Sequence, residues 1–222
     1  MGAKYSIAIL GGTGNEGPGL ALRWAKAGHQ VSIGSRQLEK AQRVAAELNQ
    51  RLDANYITAR TNLEAAGVCE IAVLTVPFDA QQALLESVSG ALQGKVLINV
   101  NVALKPPKVS RVYIPAEGSA TAQAQAVLGE SVRVVGAFQN VSAHSLEDPE
   151  APLLCDVLVC GNDKTAKDIA IELAQALGTR GIDAGPLANA IAVEALTAVL
   201  IGINLRYKVK GAGIQITGLP RP

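Results

Sequence analysis

The sequence predicts an α/β fold of the Rossmann type, with a doubly wound, mostly parallel sheet. The first observation is a short, apolar, β-branched run over residues 7–10, followed directly by a Gly-x-Gly-x-x-Gly motif over residues 12–17. The second is a helical spacing of Leu20 and Trp24, with Gly28 suited to the C-cap. The third is the alternation of strand-like and helix-like segments along the remaining chain.

The next elements follow from the spacing of apolar residues and from turn residues. In the first part of the chain we expect a strand over 31–36, a helix over 37–52, a strand over 56–59, a short helix or turn over 63–66, a strand over 71–77, a helix that Asp79 caps and that runs to 92, and a strand over 96–100. Residues 103–117 have no clear period and hold three prolines, which predicts a long loop.

The second half continues the alternation less regularly. We expect a helix over 120–128, a strand over 132–138, an irregular polar stretch over 139–153, a strand over 156–160, a helix over 165–177, a short strand and turn over 181–186, a long apolar helix over 188–207 and a glycine-containing tail over 211–219. These segments predict a dinucleotide-binding domain over 1–140. A small C-terminal α/β domain over 141–222 is expected to pack on it and complete the sheet.

The glycine motif predicts a dinucleotide site. Gly12 permits the tight turn, Gly14 lets backbone approach a pyrophosphate, and Gly17 lets the helix pack on the strand. The N-terminus of the helix then presents free N–H groups and a positive dipole end to the phosphates. The candidate phosphate-binding residues are Gly12, Thr13, Gly14, Asn15, Glu16 and Gly17.

The end of the second strand indicates which dinucleotide binds. An NAD site usually has Asp or Glu there to hold the ribose 2′-OH, whereas this chain has Gly34, Ser35 and Arg36. Ser35 can donate to a phosphate, Arg36 can bind it with two N–H groups, and Lys40 lies one helical turn further on. The pattern therefore predicts NADP as the cofactor.

Composition limits the other partners. The formal net charge is +1 and aromatic residues make up 3% of the chain, which disfavours nucleic-acid binding. The apolar runs are too short or too interrupted to predict a membrane span. We expect no signal peptide, because a predicted strand begins almost at the first residue. The segment 188–205 contains Asn189, Glu194 and Asn204, which favours an interface helix in a homodimer. Three cysteines without zinc spacing favour buried thiols in a reducing cytoplasm.

The strand ends predict where the nicotinamide lies, because ligands of such sheets bind at the carboxyl ends of the strands. We expect the ring to be positioned by Thr75, Val76, Pro77, Gln139, Asn140 and Val141. This set contains no catalytic triad, paired carboxylates or metal ligands, so we assign no catalytic residue and no metal. Hydride transfer between two redox cofactors needs mainly positioning. A ketone reductase would need an acid, for which His144 and Lys105 are the nearest candidates.

Several longer motifs are similar to those of the NADPH-dependent reductases of coenzyme F420, an 8-hydroxy-5-deazaflavin. They occupy residues 10–17, 25–29, 33–36, 72–77, 136–144, 155–161, 183–187 and 213–219. The resemblance implies reversible hydride transfer between C4 of NADP and C5 of the deazaflavin. It also implies that Thr13, Ser35, Arg36 and Lys40 hold the nucleotide. Asn101 and Val102 belong to a polar segment that should flank the deazaflavin, and this segment departs from the family's more apolar strand end.

Two other functions remain open at this stage. One is an NADP-dependent imine or ketone reductase of the pyrroline-carboxylate or β-hydroxyacid type, although such enzymes usually have a longer C-terminal domain. The other is a non-catalytic NADP sensor. The deazaflavin coenzyme also has an anionic tail, for which two basic clusters are available. We favour the loop that carries Lys105, Lys108 and Arg111 over the cluster of Arg206, Lys208 and Lys210.

Overall fold

In the computed structural model, which describes residues 3–219, strands and helices alternate almost throughout. The strands are β1 (Ser6–Leu10), β2 (Gln30–Ser35), β3 (Ile57–Thr61), β4 (Ile71–Leu74), β5 (Val96–Asn99), β6 (Arg133–Gly136), β7 (Asp156–Gly161) and β8 (Arg180–Asp183). The helices are α1 (Gly17–Lys26), α2 (Leu38–Leu52), α3 (Asn62–Val68), α4 (Phe78–Val88), α5 (Ala120–Leu128), α6 (Ala143–Leu146), α7 (Lys164–Ala176) and α8 (Ala190–Tyr207).

The strands form one sheet in the order β3-β2-β1-β4-β5-β6-β7-β8. The first six strands are parallel, β7 pairs antiparallel with β6, and β8 is parallel to β7. The chain order reverses beside β1, where β2 lies on one side and β4 on the other. In sheets of this kind the carboxyl ends of the strands at the reversal form a ligand-binding crevice. The predicted Rossmann-type, mostly parallel fold is therefore confirmed.

Helices on both faces bury the central strands completely. One apolar cluster packs β1 against α1, α2 and α7, and a second packs the opposite face against α3, α4 and α5. Trp24 of α1 is fully buried, donates from Nε1 to the Leu173 carbonyl at 3.0 Å, and makes an edge-to-face contact with Phe138. This residue ties the N-terminal helix both to α7 and to the segment after β6.

The sequence prediction of Asp79 as a helix cap is wrong. The N-cap of α4 is Pro77, without a side-chain hydrogen bond, and Asp79 lies within the first turn. The predicted strands over 71–77 and 132–138 are also shorter in the structure, ending at Leu74 and Gly136. Phe138 has a φ of 71°, a left-handed conformation that cannot continue a strand. Because β4 and β6 end early, the residues that follow them lie in loops at the carboxyl ends of the strands.

Arg23 is a buried charge that the helical pattern did not predict. It is 5% exposed on α1, and its guanidinium donates to the carbonyls of Leu146, Leu177, Ser145, Asp148 and Ala151. Burial lowers the pKa of Arg23, and nearby Asp148 counters that effect. One side chain therefore supplies donors to four carbonyls of the segment 145–151 and to the carbonyl at the end of α7.

We expect Arg23→Met to destabilise the protein by about 3 kcal/mol or more, because five backbone carbonyls lose a shared charged donor at bonds that are buried or part-buried. The free energy of unfolding from urea denaturation measures this. The control is Lys26→Met on the same helix, whose exposed ion pair with Glu150 should contribute about 1 kcal/mol or less. Equal losses in the two variants would contradict a structural role for the buried guanidinium.

Candidate functional site

The glycine motif forms a turn that neighbouring segments hold on three sides. The N–H of Gly12 donates to the carbonyl of Gly34 at 2.9 Å, so the turn is bonded to β2. A Cβ at Gly17 would lie 2.5 Å from the carbonyl oxygen of Gly12, so only glycine lets α1 begin this close to the turn. The Oδ1 atom of Asn62 accepts from the N–H of Gly11 at 3.0 Å and fixes the third side.

A groove of about 1130 Å³ opens beside this turn, at the crevice where the strand order reverses. It runs from the end of β2, past the glycine turn, to the end of β4 and along α4. Its lining residues are Gly11, Thr13, Gly14, Ser35, Arg36, Gln37, Lys40, Thr61, Asn62, Thr75, Val76, Pro77, Asp79, Ala80, Ala83, Leu84 and Ser87.

The glycine turn fits the phosphates of a dinucleotide. A Cβ at Gly14 would meet no atom closer than 3.7 Å, so this glycine is not required by contacts inside the protein. Its missing side chain instead leaves space on the groove side, directly before the N-terminus of α1. A pyrophosphate needs this space, since it binds by close approach to the backbone.

One end of the groove is cationic. Arg36 and Lys40 are exposed and line the groove together with Ser35, whose Oγ accepts from the N–H of Gln37 at 3.1 Å. No ion pair to Arg36 or Lys40 is found within residues 3–219. Two cations that converge on a groove without a carboxylate partner can both contact a bound phosphate.

Sequence reasoning missed the wall of the groove formed by the start of α3. Thr61 and Asn62 line the groove because Thr61 ends β3 and caps α3 directly. A signal was present in the sequence: Thr61 and Glu64 form a reciprocal capping box, which marks a helix start. Recognition of that motif would have placed Asn62 at a strand end, beside the glycine turn.

The residues predicted at the other end lie outside the groove. Gln139 and Asn140 are each 6% exposed, and their side-chain amides donate to protein atoms. Asn101 is also buried and donates to Oε1 of Gln81 at 2.9 Å. Val102 lies in a separate small pocket against α8, and Val141 is buried. Thr75, Val76 and Pro77 therefore line the groove. The other predicted residues, Asn101, Val102, Gln139, Asn140 and Val141, lie outside it in an adjacent packed layer.

The candidate acids and the basic loop lie elsewhere. His144 is on the short helix α6, mostly exposed, with Glu147 as its partner at 3.4 Å. The ammonium of Lys105 lies 5.0 Å above the ring of Tyr113, within the long loop between β5 and α5. Neither side chain lines the groove. Within residues 3–219, no group of three or more His, Cys, Asp and Glu residues is arranged to hold a metal ion.

Glu16 is an unusual residue for a phosphate-binding turn. It occupies the N-cap of α1, makes no side-chain cap hydrogen bond, and its Oε2 atom is buried without a hydrogen-bond partner. Burial raises the pKa of Glu16 to about 7. A neutral carboxylic acid here would not repel a pyrophosphate, whereas a carboxylate would.

Comparison with known proteins identifies relatives over the whole chain. Residues 6–103 match the family model described as NADP oxidoreductase, coenzyme F420-dependent. The F420-dependent NADP reductase of Methanocaldococcus jannaschii is 42% identical, covering 96% of this chain and 98% of that protein. The enzyme of the same name from Methanothermobacter marburgensis is 44% identical, with 96% and 99% covered.

A solved structure agrees with the sequence matches. The crystal structure of a putative F420-dependent NADP reductase from Arthrobacter sp. FB24 is similar, with a TM-score of 0.79 and 26% identity. The match covers 96% of this chain and 99% of that one.

The pKa of Glu16 predicts a pH-dependent stability. Because the folded-state pKa of about 7 is above the ordinary 4.5, the folded protein binds this proton more tightly than the unfolded chain does. The contribution to stability is therefore lost as pH rises from 4.5 through 7. The difference corresponds to about 3 kcal/mol at pH 8. We expect Glu16→Gln to raise the free energy of unfolding at pH 8 by up to this amount, and much less at pH 5.

Urea denaturation at pH 5 and pH 8 makes the measurement. Glu47→Gln, which removes an exposed carboxylate from α2, is the control and should change stability little at either pH. A Glu16→Gln effect that is the same at both pH values would show that Glu16 is ionised throughout.

Proposed function

The chain belongs to the F420-dependent NADP reductase family, and from that membership we propose how its residues carry out the family's reaction. The protein is an oxidoreductase that transfers hydride reversibly between C4 of NADP(H) and C5 of the deazaflavin coenzyme F420. Identity of 41–44% over nearly the full length of three curated relatives carries this assignment. The matches also cover 95–99% of the length of these relatives.

We propose that NADP occupies the groove. Its pyrophosphate lies over the glycine turn, in contact with Gly12, Thr13, Gly14, Asn15, Glu16 and Gly17. Its 2′-phosphate lies between Ser35, Arg36 and Lys40, whose exposed cations support the assignment to NADP in preference to NAD. The adenine then faces Thr61 and Asn62, which complete that end of the groove.

The nicotinamide is proposed to lie at the end of β4, against Thr75, Val76 and Pro77. Val76 is held there by contact with the glycine turn, where a Cβ at Gly11 would be 2.1 Å from its Cγ1. The deazaflavin is proposed to lie beside the ends of β5 and β6, near Asn101, Val102, Gln139, Asn140 and Val141. In this arrangement residues 1–140 bind NADP, and residues 141–222 complete the deazaflavin site.

The chain's own residues position the two rings and exclude water, because the two coenzymes supply the hydride donor and acceptor. The groove residues at the proposed nicotinamide position are a threonine, a valine and a proline, none of which titrates near neutral pH. This composition supports a reaction without an obligatory protein acid. An imine or ketone reductase would need such an acid, and a sensor would bind NADPH without turnover.

The test is to mix the protein with NADPH and oxidised F420 and to follow the deazaflavin absorbance. We expect turnover with NADPH, and an Arg36→Ala variant should bind NADPH about 10- to 100-fold more weakly while its affinity for NADH hardly changes. Loss of a charged hydrogen bond to the 2′-phosphate explains the difference. Arg43→Ala, an exposed cation further along α2, is the matched control.

The result separates the alternatives. Binding of NADPH without reduction of F420 would favour the sensor, and equal loss of NADPH and NADH affinity in Arg36→Ala would remove Arg36 from the 2′-phosphate site.

We also propose that the protein is a cytoplasmic homodimer joined through α8. The outward face of this helix carries Ala192, Leu196, Val199 and Ile203, a spacing of four, three and four residues that suits packing against another helix. The segment Leu187–Tyr207 is long and apolar enough by composition to cross a membrane, with 28% of it buried. Its opposite face is hydrogen-bonded through Glu194 to the start of α5, which favours a second copy of the chain over a bilayer as the covering partner.

We expect Val199→Lys to yield a monomer in sedimentation at concentrations where the wild type is a dimer, because an unpaired ammonium would be buried in the interface. Gln50→Lys adds the same charge to an exposed position on α2 and should leave the dimer intact. A monomeric wild type would contradict the proposal directly.

A further inference from the structure

Glu194 is a buried carboxylate whose bonds all go to the start of α5. It is 4% exposed; Oε2 accepts from the N–H of Ala120 at 2.7 Å, and Oε1 accepts from the N–H of Thr121 at 2.9 Å. The hydroxyl of Thr121 also donates to Oε1, at 2.7 Å. Within the described part of the chain, no lysine, arginine or histidine forms an ion pair with it. Burial raises the pKa of Glu194, and the bonds from Thr121 and Ala120 lower it.

The hydroxyl of Thr121 links Glu194 to β5 by a second hydrogen bond. Its Oγ1 accepts from Nδ2 of Asn99 at 3.0 Å. A hydroxyl has one proton, and a carboxylate can only accept, so the proton of Thr121 must be given to Glu194. Thr121 can then only accept from Asn99. The NH₂ group of Asn99 is therefore fixed toward Thr121 and the carbonyl of Asn101, and its Oδ1 atom faces the other way.

The same contacts reach the end of β6. Nε2 of Gln139 donates to the backbone carbonyl of Asn99 at 3.0 Å. A Cβ at Gly136 would lie 2.7 Å from Oγ1 of Thr121 and 2.9 Å from Nε2 of Gln139, so only glycine at the end of β6 leaves room for both groups. The donors of Asn99 and Gln139 are used inside the protein, whereas Oδ1 of Asn99 and Oε1 of Gln139 are buried without a donor.

We propose that Glu194 is a positioning residue for hydride transfer, acting through the Thr121 hydroxyl to fix the Asn99 amide and the ends of β5 and β6. This rests on the proposed function, which puts the deazaflavin ring beside those strand ends. The fixed orientation leaves Oδ1 of Asn99 and Oε1 of Gln139 as buried acceptors within this layer. NADP binding depends on a different set of contacts, those of the glycine turn with Gly34 and Asn62.

Thr121→Val tests this step, because it removes the hydroxyl and keeps the shape and the backbone N–H that binds Glu194. We expect kcat with NADPH and F420 to fall about tenfold, the effect of roughly one lost buried hydrogen bond. The Kd for NADPH should change less than twofold. Thr121→Ser should restore kcat, and Glu194→Gln should lower it, since the amide NH₂ would face N–H donors.

Leu128→Ala is the matched structural control, since Leu128 is buried on the same helix and makes no hydrogen bond through its side chain. It should lower Tm without lowering kcat at a temperature where the variant is folded. Three outcomes would overturn the proposal: unchanged kcat in Thr121→Val, failure of Thr121→Ser to restore it, or an equal fall in Leu128→Ala. A wild type that does not reduce F420 would instead contradict the proposed function.

The orientation of Asn99 can be measured without turnover. We expect its side-chain NH₂ protons to exchange slowly with solvent in NMR spectra of the wild type and of Thr121→Ser, and at least tenfold faster in Thr121→Val and Glu194→Gln. Equal exchange rates in all four proteins would refute the orienting role, whatever the enzyme reduces.

Discussion

The start of α1 depends on the close approach of Gly17 to Gly12. With no Cβ at Gly17, α1 begins against the carbonyl of Gly12, and a methyl group there would be 2.5 Å from that oxygen. The contact sets the direction of α1 from its first residue. Trp24 and Arg23 then reach α7 and the segment 145–151 from fixed positions. Displacement of α1 would therefore alter both the phosphate turn and the packing of the C-terminal part.

Much of this architecture was predictable because it repeats simple patterns. The helix over 120–128 was predicted with the bounds that the structure has, and the structure shows that Ser119 caps its start and Gly129 its end. The buried strands β1, β4 and β5 are continuous apolar runs, which the sequence displays directly. Strand ends were less predictable: β4 and β6 stop inside apolar runs, for conformational reasons that composition does not reveal.

The site was predictable to the extent that it consists of backbone and strand ends. Ser35 and Arg36 follow β2 in sequence, so their place in the groove follows from the fold alone. Asn62 and Glu194 were not predictable as site residues, because their roles come from contacts 51 and 73 or 74 positions away in the chain. Gln139 and Asn140 were placed at the right strand end, but nothing in one sequence shows that their amides turn inward to the protein.

The groove and the layer at the ends of β5 and β6 differ in physical character. The groove is open and bears at one end two exposed cations, Arg36 and Lys40, that form no ion pair within residues 3–219. This character suits a charged ligand that brings its own phosphates. The layer at the ends of β5 and β6 is closed and is ordered by oriented side-chain hydrogen bonds, which are costly to break when buried.

Helix α8 is also positioned by oriented side-chain hydrogen bonds. Its inner face is held by the carboxylate of Glu194 and by the hydroxyl of Thr197, which donates to the Gln139 carbonyl and accepts from Asn140. These directional bonds fix the position of the helix. Apolar contacts alone would not, because apolar surfaces can pack in many arrangements of nearly equal energy. The outward face of α8, with Ala192, Leu196, Val199 and Ile203, is therefore held in a fixed orientation. A helix held only by apolar contacts could slide along the surface that it packs against. The hydrogen bonds of Thr197 with Gln139 and Asn140 instead fix α8 relative to the segment after β6.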